Sequence, residues 1–269
     1  MQKLIDNLKK VGVEVEKLSS IEGIKVIVPL SGGKDSQTCL ELALKEYKNS
    51  EILALFCDTK FEHDITYKHI EGLISKYRVN YVYLNAGSVL SVCTKYKRFP
   101  GGGARHCTDE LKIRPTKFFL KEFSLLNEGT VEVWYGMRMQ ESPQRAKRYA
   151  GKLDGTLYAP HEVMPRKYPK YLEKQGVMFK LPILEWSEEE VYTFLRGRGN
   201  PLYEKGFDRV GCFPCLAGGE KLQLKAFEFD EVGAKHYQVA VEISEIAKRP
   251  VFQGKKLKGV VPQCSICSM

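Results

Sequence analysis

Six consecutive residues near the amino terminus combine small, hydroxyl and charged side chains in an order that suits phosphate binding. They are Ser31, Gly32, Gly33, Lys34, Asp35 and Ser36. An apolar run at residues 24–30 predicts a strand before them, and residues 38–44 predict a helix after them. A turn from a strand into a helix directs several backbone N–H groups to one point, at the positive end of the helix dipole. The segment therefore predicts a nucleotide phosphate site.

The side chains of this segment support the same interpretation. The two glycines let the backbone approach an anion closely, Lys34 adds a positive charge, and Ser36 can cap the helix. The segment is not a Walker A loop, because Asp35 follows the lysine where that motif has serine or threonine. An ordinary glycine turn with a helix cap is the alternative.

The cysteines form a second group with chemical potential. Cys39, Cys57 and Cys93 lie in apolar predicted elements, which is typical of buried structural thiols. The other five lie in predicted loops: Cys107, Cys212, Cys215, Cys264 and Cys267. The last four form two CxxC pairs, a spacing that zinc and iron–sulfur sites use. A four-cysteine zinc site, an iron–sulfur cluster and a thioredoxin-like dithiol all remain open.

The first half of the chain alternates strand and helix patterns, which predicts an α/β fold with a doubly wound, mostly parallel sheet. Strands are expected at residues 24–30, 52–57, 80–84 and 131–135, and helices at 4–18, 38–44, 65–74 and from near Pro115. In such sheets, ligands bind at the carboxyl ends of the strands. The segment 31–36, Asp58 and Arg138 each follow a predicted strand, so we expect them to share one pocket.

Three regions follow from this pattern. Residues 1–140 are the predicted nucleotide-binding core, and residues 141–180 lack periodicity and are interpreted as a long basic loop or insertion. Residues 181–269 form a C-terminal helical and loop appendage that carries cysteines. In this appendage, Ser187 and Glu190 match a capping box before a helix, and a further helix is expected at 236–248.

Composition limits the class of protein and its partners. The chain has 269 residues, and it contains neither an apolar run that could span a bilayer nor a segment of the signal-peptide type near Met1. We therefore expect a soluble, cytoplasmic protein without a membrane partner. The net charge of +9 favours a polyanionic partner.

Basic and aromatic residues alternate in the predicted loop at 141–180. They are Arg145, Lys147, Arg148, Lys152, Arg166, Lys167, Lys170 and Lys174, with Tyr149, Tyr158, Tyr168 and Tyr171. Cations beside aromatic rings suit a nucleic-acid backbone and unstacked bases. A solvated loop next to the nucleotide site is the alternative interpretation.

The segment 31–36 resembles the pyrophosphate loop of N-type ATP pyrophosphatases, which have the adenine-nucleotide alpha-hydrolase fold. Four further stretches resemble, in order, the phosphoadenosine-phosphosulfate (PAPS) reductase family, which shares that fold. They are Cys57-Asp58-Thr59; Arg105-His106-Cys107-Thr108 with Leu111-Lys112 and Pro115; Gly136-Met137-Arg138 with Glu141-Ser142 and Arg145; and Leu181-Pro182-Ile183 with Trp186, running on to Arg209-Val210-Gly211-Cys212 and Cys215. The chain is identified as a member of this family.

Two departures distinguish branches of the family. Sulfonucleotide reductases usually carry an altered phosphate loop and a Glu-Cys-Gly-x-His tail, whereas this chain keeps the intact loop. Its tail, residues 262–267, contains the second CxxC pair and no following histidine. The resemblance therefore favours the branch of sulfur-transfer ATP pyrophosphatases found in DNA phosphorothioation systems of the Dnd/Ssp type.

The resemblance implies roles for individual residues. ATP would bind with its pyrophosphate in the loop, where Lys34 and Mg²⁺ neutralise charge and Asp35 contacts the metal. Asp58 and Gly136 would bind the nucleotide, while Arg138 and Lys112 would stabilise charge at the α-phosphorus. A 4Fe–4S cluster would take its ligands from the cysteines, with zinc as the alternative metal. The implied ligands are Cys107, Cys212 and Cys215; the fourth is Cys264 or Cys267, or the fourth iron stays open to hold a sulfide.

The implied activity is adenylation of an acceptor, followed by sulfur transfer. The implied partners are ATP, a nucleic acid (DNA or tRNA) and a sulfur donor such as a cysteine desulfurase. A sulfonucleotide reductase that releases sulfite is the first alternative, and a non-catalytic, cluster-bearing nucleic-acid-binding protein is the second.

Overall fold

The computed structural model describes residues 1–101, 105–127 and 129–252. Its central feature is a seven-stranded sheet. The strands are β1 (Glu14–Leu18), β2 (Val26–Pro29), β3 (Ile52–Asp58), β4 (Asn80–Asn85), β5 (Val131–Trp134), β6 (Leu157–Tyr158) and β7 (Val177–Lys180). They lie in the order β1-β4-β3-β2-β5-β7-β6, and only the edge strands β1 and β6 run antiparallel to their neighbours. The expected doubly wound, mostly parallel sheet is confirmed.

Helices surround this sheet. The α-helices are α1 (Gln2–Lys10), α2 (Lys34–Glu46), α3 (Asp64–Tyr77), α4 (Val89–Tyr96), α5 (His106–Thr108), α6 (Arg114–Ser124), α7 (Pro143–Tyr149), α8 (Pro160–Val163), α9 (Tyr171–Lys174), α10 (Glu188–Leu195), α11 (Glu220–Phe227) and α12 (Glu231–Ala247). A π-helix, Asp109–Ile113, joins α5 to α6. Within the described residues, none of the helices has the length and apolar character that crossing a membrane requires.

Both faces of the sheet are buried, which explains the apolar character of its central strands. Every residue of β3 is buried, as expected for a parallel strand covered by helices on both sides. On one face, Ile27 and Leu53 pack in a cluster with Phe119 of α6. On the other face, Val28 packs in a cluster with Leu40 of α2. Alternate residues of one strand therefore stabilise two separate layers of helices.

The order of the strands brings two distant loops together. β2 lies between β3 and β5 and runs parallel to both. Since parallel strands end at the same edge of a sheet, the loop after β2 and the loop after β5 are neighbours. This arrangement places residues 31–36 beside residues 135–138.

The structure corrects the prediction for residues 141–180. This region contains α7, β6, α8, α9 and β7 rather than one long loop. β7 pairs with β5, so part of the region extends the core sheet. Tyr149, Tyr168 and Leu172 are buried in the main core, which fixes the region against the sheet despite its many charged residues.

Element boundaries at the two ends also differ from the predictions. The helix expected at residues 4–18 ends at Lys10, and residues 14–18 form the edge strand β1. Gly12, with φ of +75°, lies between the two elements and allows the turn. The expected helix at 236–248 begins earlier, as α12 covers Glu231–Ala247. Within the described residues, α10, α11 and α12 form the helical part of the cysteine-bearing appendage, and α12 packs against α4 through Ile243 and Val92.

Candidate active site

The hydroxyl group of Ser36 forms hydrogen bonds within the loop between β2 and α2 and holds the loop in a tight turn. Ser36 accepts a hydrogen bond from the Ser31 amide at 3.1 Å and donates one to the Gly33 carbonyl at 2.9 Å. Gly33 is the N-cap residue of α2, so Ser36 stabilises the loop and does not cap the helix as expected. The bonds fix the curvature of the loop ahead of the first turn of α2, where backbone N–H groups lack partners inside the helix.

Two glycines in and around this loop have a steric explanation. A Cβ atom on Gly32, whose φ is +75°, would lie 2.5 Å from Cγ2 of Thr66. A Cβ atom on Gly136, just after β5, would lie 2.7 Å from the backbone carbonyl carbon and oxygen of Asp35. Gly136 therefore supports the back of the loop through direct backbone contact.

A buried ion pair connects the loop to the segment after β5. Arg138, with 4% of its surface exposed, donates a hydrogen bond from Nε to Oδ1 of Asp35 at 2.7 Å. Its Nη1 donates a second bond to Oε1 of Gln140 at 3.2 Å. The guanidinium group is thereby held in a fixed orientation beside the loop.

Lys34 is enclosed by the C-terminal part of the chain. Only 5% of its surface is exposed, and its Nζ lies 2.8 Å from Oε1 of Glu188, the first residue of α10. The rings of Tyr192 and Tyr203 flank the ammonium group, with their centres 5.3 and 5.1 Å away. The hydroxyl of Tyr203 also accepts the backbone N–H of Lys34 at 2.9 Å. The hydrogen bond from Lys34 lowers the pKa of Glu188.

The loop forms one wall of a cavity of about 1130 Å³. This volume is ample for a nucleotide. Most of the predicted phosphate and catalytic residues line it: Ser31, Gly33, Lys34, Asp35, Ser36, Lys112, Gly136 and Arg138. Arg145 and Arg209 also line the cavity and add positive charge to it. The structure thus unites residues from the ends of β2 and β5 and from the π-helix around one space.

Asp58 does not line this cavity, contrary to the expectation that it faces the nucleotide. Its Oδ1 accepts the Tyr67 hydroxyl and the Lys60 amide, both at 2.7 Å, and its Oδ2 pairs with Lys60 Nζ at 2.7 Å. The carboxylate is buried and fully engaged by these groups. Asp58 therefore orders the turn after β3.

Lys112 lies between the cavity and the cysteines. Its Nζ is 3.7 Å from Oε1 of Glu62, whose side chain is 1% exposed and also accepts the Thr59 hydroxyl at 2.8 Å. Burial favours the neutral form of Lys112, but the negative charges of Cys212 and Glu62 outweigh this effect and raise its pKa. The charged ammonium group of Lys112 can therefore attract an anion in the cavity, and it also favours the thiolate form of Cys212.

Three predicted ligand cysteines lie in one region. Sγ of Cys212 is 3.6 Å from the Thr59 hydroxyl, and burial raises the pKa of Cys212 to about 11. Burial also raises the pKa of Cys107, and the neighbouring charge of Cys215 raises it further. All three cysteines are free thiols.

These thiols do not complete a metal site within the part of the chain that is described. Over residues 1–101, 105–127 and 129–252, no three histidine, cysteine, aspartate or glutamate side chains form a group that could hold a metal ion. The other two proposed ligands, Cys264 and Cys267, lie outside the described residues. Among the described residues, Cys107, Cys212 and Cys215 therefore lie in the same region, but their side chains are not arranged to hold one metal ion.

Several residues of the site were missed by sequence reasoning. Glu188 belongs to a run of acidic residues at a helix start, a pattern that indicates only a favourable helix dipole. Tyr192 and Tyr203 carry no local signal, because their contact with Lys34 depends on the folded chain. Cys57 is a buried core thiol, as the sequence predicts, and it also lines the cavity beside the Thr116 hydroxyl, 3.4 Å away.

Comparison with known proteins identifies the family. Residues 25–217 match the phosphoadenosine phosphosulfate reductase domain, and the chain belongs to this family. The fold and site accordingly define a domain of the phosphoadenosine phosphosulfate reductase class.

Individual relatives are more distant. The chain is 32% identical to the uncharacterized protein MJ0066 of Methanocaldococcus jannaschii over 96% of this chain and 50% of that protein. It is 24% identical to the phosphoadenosine 5'-phosphosulfate reductase of Escherichia coli O1:K1 / APEC, over 76% of each chain. The crystal structure of the Candida auris enzyme of that name aligns with a TM-score of 0.48 and 13% identity, over 72% of this chain and 84% of that one. The chain spans about half or less of the length of the first three curated relatives it matches.

Proposed function

We propose that this chain is an ATP pyrophosphatase that adenylates a nucleic-acid acceptor for sulfur transfer. The observation that carries the proposal is the intact 31–36 loop, which contains Lys34. The loop lines a nucleotide-sized cavity together with Arg138. Lys112 and Arg145 add cations, and the start of α2 adds backbone N–H groups, while Asp35, Glu141 and Glu188 line the same space. Several cations around one space suit the row of phosphate groups in ATP.

The proposed chemistry has two displacement steps. An oxygen of the acceptor attacks the α-phosphorus of ATP, a new P–O bond forms, and the bond to pyrophosphate breaks. Sulfur at the oxidation level of sulfide then attacks the activated atom of the acceptor, and the former acceptor oxygen leaves with AMP. No net oxidation occurs in either step, so neither requires a redox partner.

Arg138 and Lys112 have distinct parts in the first step. Arg138 is fixed beside the loop by Asp35 and stabilises the charge that develops as pyrophosphate leaves. Lys112 reaches the cavity from the π-helix, next to the cysteines, and stabilises the adenylated acceptor. Mg²⁺ would share the neutralisation of the phosphates, with Asp35 as its protein contact.

The acceptor and the sulfur source are proposed from charge and chemistry. The net charge of +9 suits DNA or tRNA as the acceptor, and DNA phosphorothioation is the process that we favour. A cysteine desulfurase is a suitable sulfur donor when a thiol reductant accompanies it, because the outer sulfur of its persulfide becomes sulfide only on reduction by two thiols, which leave as a disulfide. Cys107, Cys212 and Cys215 are the proposed ligands of a 4Fe–4S cluster. Either Cys264 or Cys267 would be its fourth ligand, or the fourth iron would stay open and hold sulfide.

The test is an anaerobic assay for pyrophosphate release from ATP with DNA, with tRNA and without an acceptor. We expect release that a nucleic acid stimulates and that Lys34→Ala abolishes. Lys45→Ala is the matched control, since Lys45 is an exposed lysine of the same helix. Release that survives Lys34→Ala would show that the loop is not the pyrophosphate site.

Sulfonucleotide reduction is the second candidate, because the family and a relative that covers 76% of this chain carry the name of that activity. It predicts sulfite release from adenylylsulfate or its 3′-phosphorylated form in the presence of a thiol. Sulfite formation without ATP-dependent pyrophosphate release would favour this candidate over the first.

A further inference from the structure

Glu188 forms an ion pair with Lys34, the positively charged side chain with which the phosphate loop would bind a ligand. The two groups are 2.8 Å apart, and the backbone carbonyl of Asp208 accepts a further bond from Lys34 Nζ at 3.5 Å. Lys34 is buried, whereas about half of the Glu188 side chain is exposed. The carboxylate therefore approaches the lysine from the solvent side, from which a phosphate group would also enter.

Glu188 is held in this position by the same residues that build the site. Its backbone N–H donates to Oε1 of Gln140 at 2.7 Å, and that oxygen also accepts Nη1 of Arg138 at 3.2 Å. Arg138 in turn binds Asp35, the residue after Lys34. The contacts form a closed ring of five residues, so the carboxylate is a positioned part of the site.

We propose that Glu188 competes with the terminal phosphates of the nucleotide for Lys34 and thereby promotes release of pyrophosphate. A buried ammonium group is costly to leave unpaired, so Lys34 requires one anion or the other. Lys34 pairs with pyrophosphate while pyrophosphate is bound. It pairs again with the Glu188 carboxylate as pyrophosphate leaves. This inference rests on the proposed function, because it assigns pyrophosphate to the loop.

The competition has a selective consequence. A ligand without terminal phosphates, such as AMP, does not reach Lys34 and leaves the pair with Glu188 intact. Removal of the carboxylate charge therefore strengthens binding of pyrophosphate and ATP but leaves AMP binding unchanged. A role for Glu188 confined to the stability of α10 would change none of these affinities selectively.

The experiment is calorimetric titration of the full chain with inorganic pyrophosphate, ATP and AMP. We expect Glu188→Gln to bind pyrophosphate about three- to tenfold more tightly than the wild type, as removal of a half-exposed competing charge implies, with AMP affinity unchanged. Glu189→Gln is the matched control, since it removes the adjacent exposed carboxylate of the same helical turn. We expect this control to change pyrophosphate affinity less than about twofold, because Lys34 keeps its partner.

Three outcomes would overturn the inference: unchanged pyrophosphate affinity in Glu188→Gln, equal tightening for AMP, or equal tightening in Glu189→Gln. If ATP binds and the variant tightens pyrophosphate without any turnover, the catalytic part of the proposed function fails, while the competition between Glu188 and pyrophosphate for Lys34 stands. If no form of the chain binds pyrophosphate or ATP, both fail. Should Glu188→Gln not fold, Glu188→Asp withdraws the carboxylate by one methylene and must shift pyrophosphate affinity in the same direction.

Discussion

Arg138 and Asp35 form an ion pair of 2.7 Å between residues that lie 103 positions apart in the sequence. The pair joins the loop after β2 to the segment after β5, at the point where the two parallel strands end side by side. Because the arginine is buried, the pair fixes both the shape of the loop and the direction of the guanidinium group.

We expect Arg138→Met to lower pyrophosphate release by at least about a hundredfold, since removal of one fixed donor to a developing charge has this effect in other enzymes. The variant also leaves the Asp35 carboxylate without its partner, so its free energy of unfolding should fall by about 2 kcal/mol. Arg138→Lys keeps the charge but loses the second donor, and we expect an intermediate rate.

Turnover and urea unfolding measure the two effects of Arg138→Met separately. Arg98→Met is the control, because Arg98 is an exposed arginine that does not line the cavity. If Arg138→Met released pyrophosphate at the wild-type rate, the proposed role of Arg138 in the mechanism would be wrong.

Gly136→Ala tests the support of the loop. Its new methyl group would approach the Asp35 backbone to 2.7 Å, and backbone cannot give way as a flexible side chain does. We expect the variant to lose about 1–3 kcal/mol of stability and most of its ATP affinity. Gly72→Ala is the control: it lies in α3 with no atom within 4 Å of the new Cβ and should stabilise the helix by about 0.5–1 kcal/mol. ATP affinity equal to that of the wild type in Gly136→Ala would contradict the contact.

The lowered pKa of Glu110 predicts that acid destabilises the segment that carries Cys107 and Lys112. The hydrogen bond from Tyr96 at 2.6 Å, with those from Lys95 and Arg114, lowers the pKa of Glu110 to about 2. A carboxylate whose pKa is lowered by folding stabilises the protein above its unfolded pKa and loses that contribution as acid protonates it. The contribution of Glu110 should therefore be complete near neutral pH and decline from about pH 4.5 toward pH 2.

The measurement compares urea unfolding of Glu110→Gln and wild type between pH 7 and pH 2. We expect the variant to be less stable by about 1 kcal/mol at pH 7, as is typical of a largely exposed network, and the difference to shrink on acidification. Glu242→Gln, an exposed glutamate of α12, serves as the control. A difference that stays constant with pH would show that charge is not the cause.

The cysteine assignment has its own test. Protein purified without oxygen should contain iron and acid-labile sulfide, and Cys212→Ser and Cys107→Ser should each lose both, because a cluster depends on its thiolate ligands. Cys39→Ala should retain them, since Cys39 is buried in α2, outside the cysteine region. One equivalent of zinc without sulfide would instead support a structural metal site.

The sequence was sufficient to predict the central strands and the main site loop. β2, β3, β4 and β5 were all anticipated, because a strand buried on both faces produces a continuous apolar run. The capping box of α10 was also correct, as Ser187 accepts the Glu190 amide. Lys112, Gly136 and Arg138 line the cavity as the family motifs implied.

Other elements could not be inferred, for identifiable physical reasons. The edge strand β1 is largely exposed and has a weak apolar pattern, so it merged with α1 in the prediction. β7 has four residues and is recognisable only through its pairing with β5. Asp58 is the last residue of β3, close to its expected position, but its orientation depends on Lys60 and Tyr67, and no local pattern encodes that choice.

The order of strands in the sheet has a consequence for biosynthesis. β3 follows β2 closely along the chain, but the other neighbour, β5, emerges from the ribosome only after β4 and α6. The nascent polypeptide cannot present Lys34 and Arg138 to the same anion until β5 has inserted beside β2. The proposed affinity for nucleotide would therefore arise late in synthesis, after the fifth strand has been translated and the two halves of the sheet have joined.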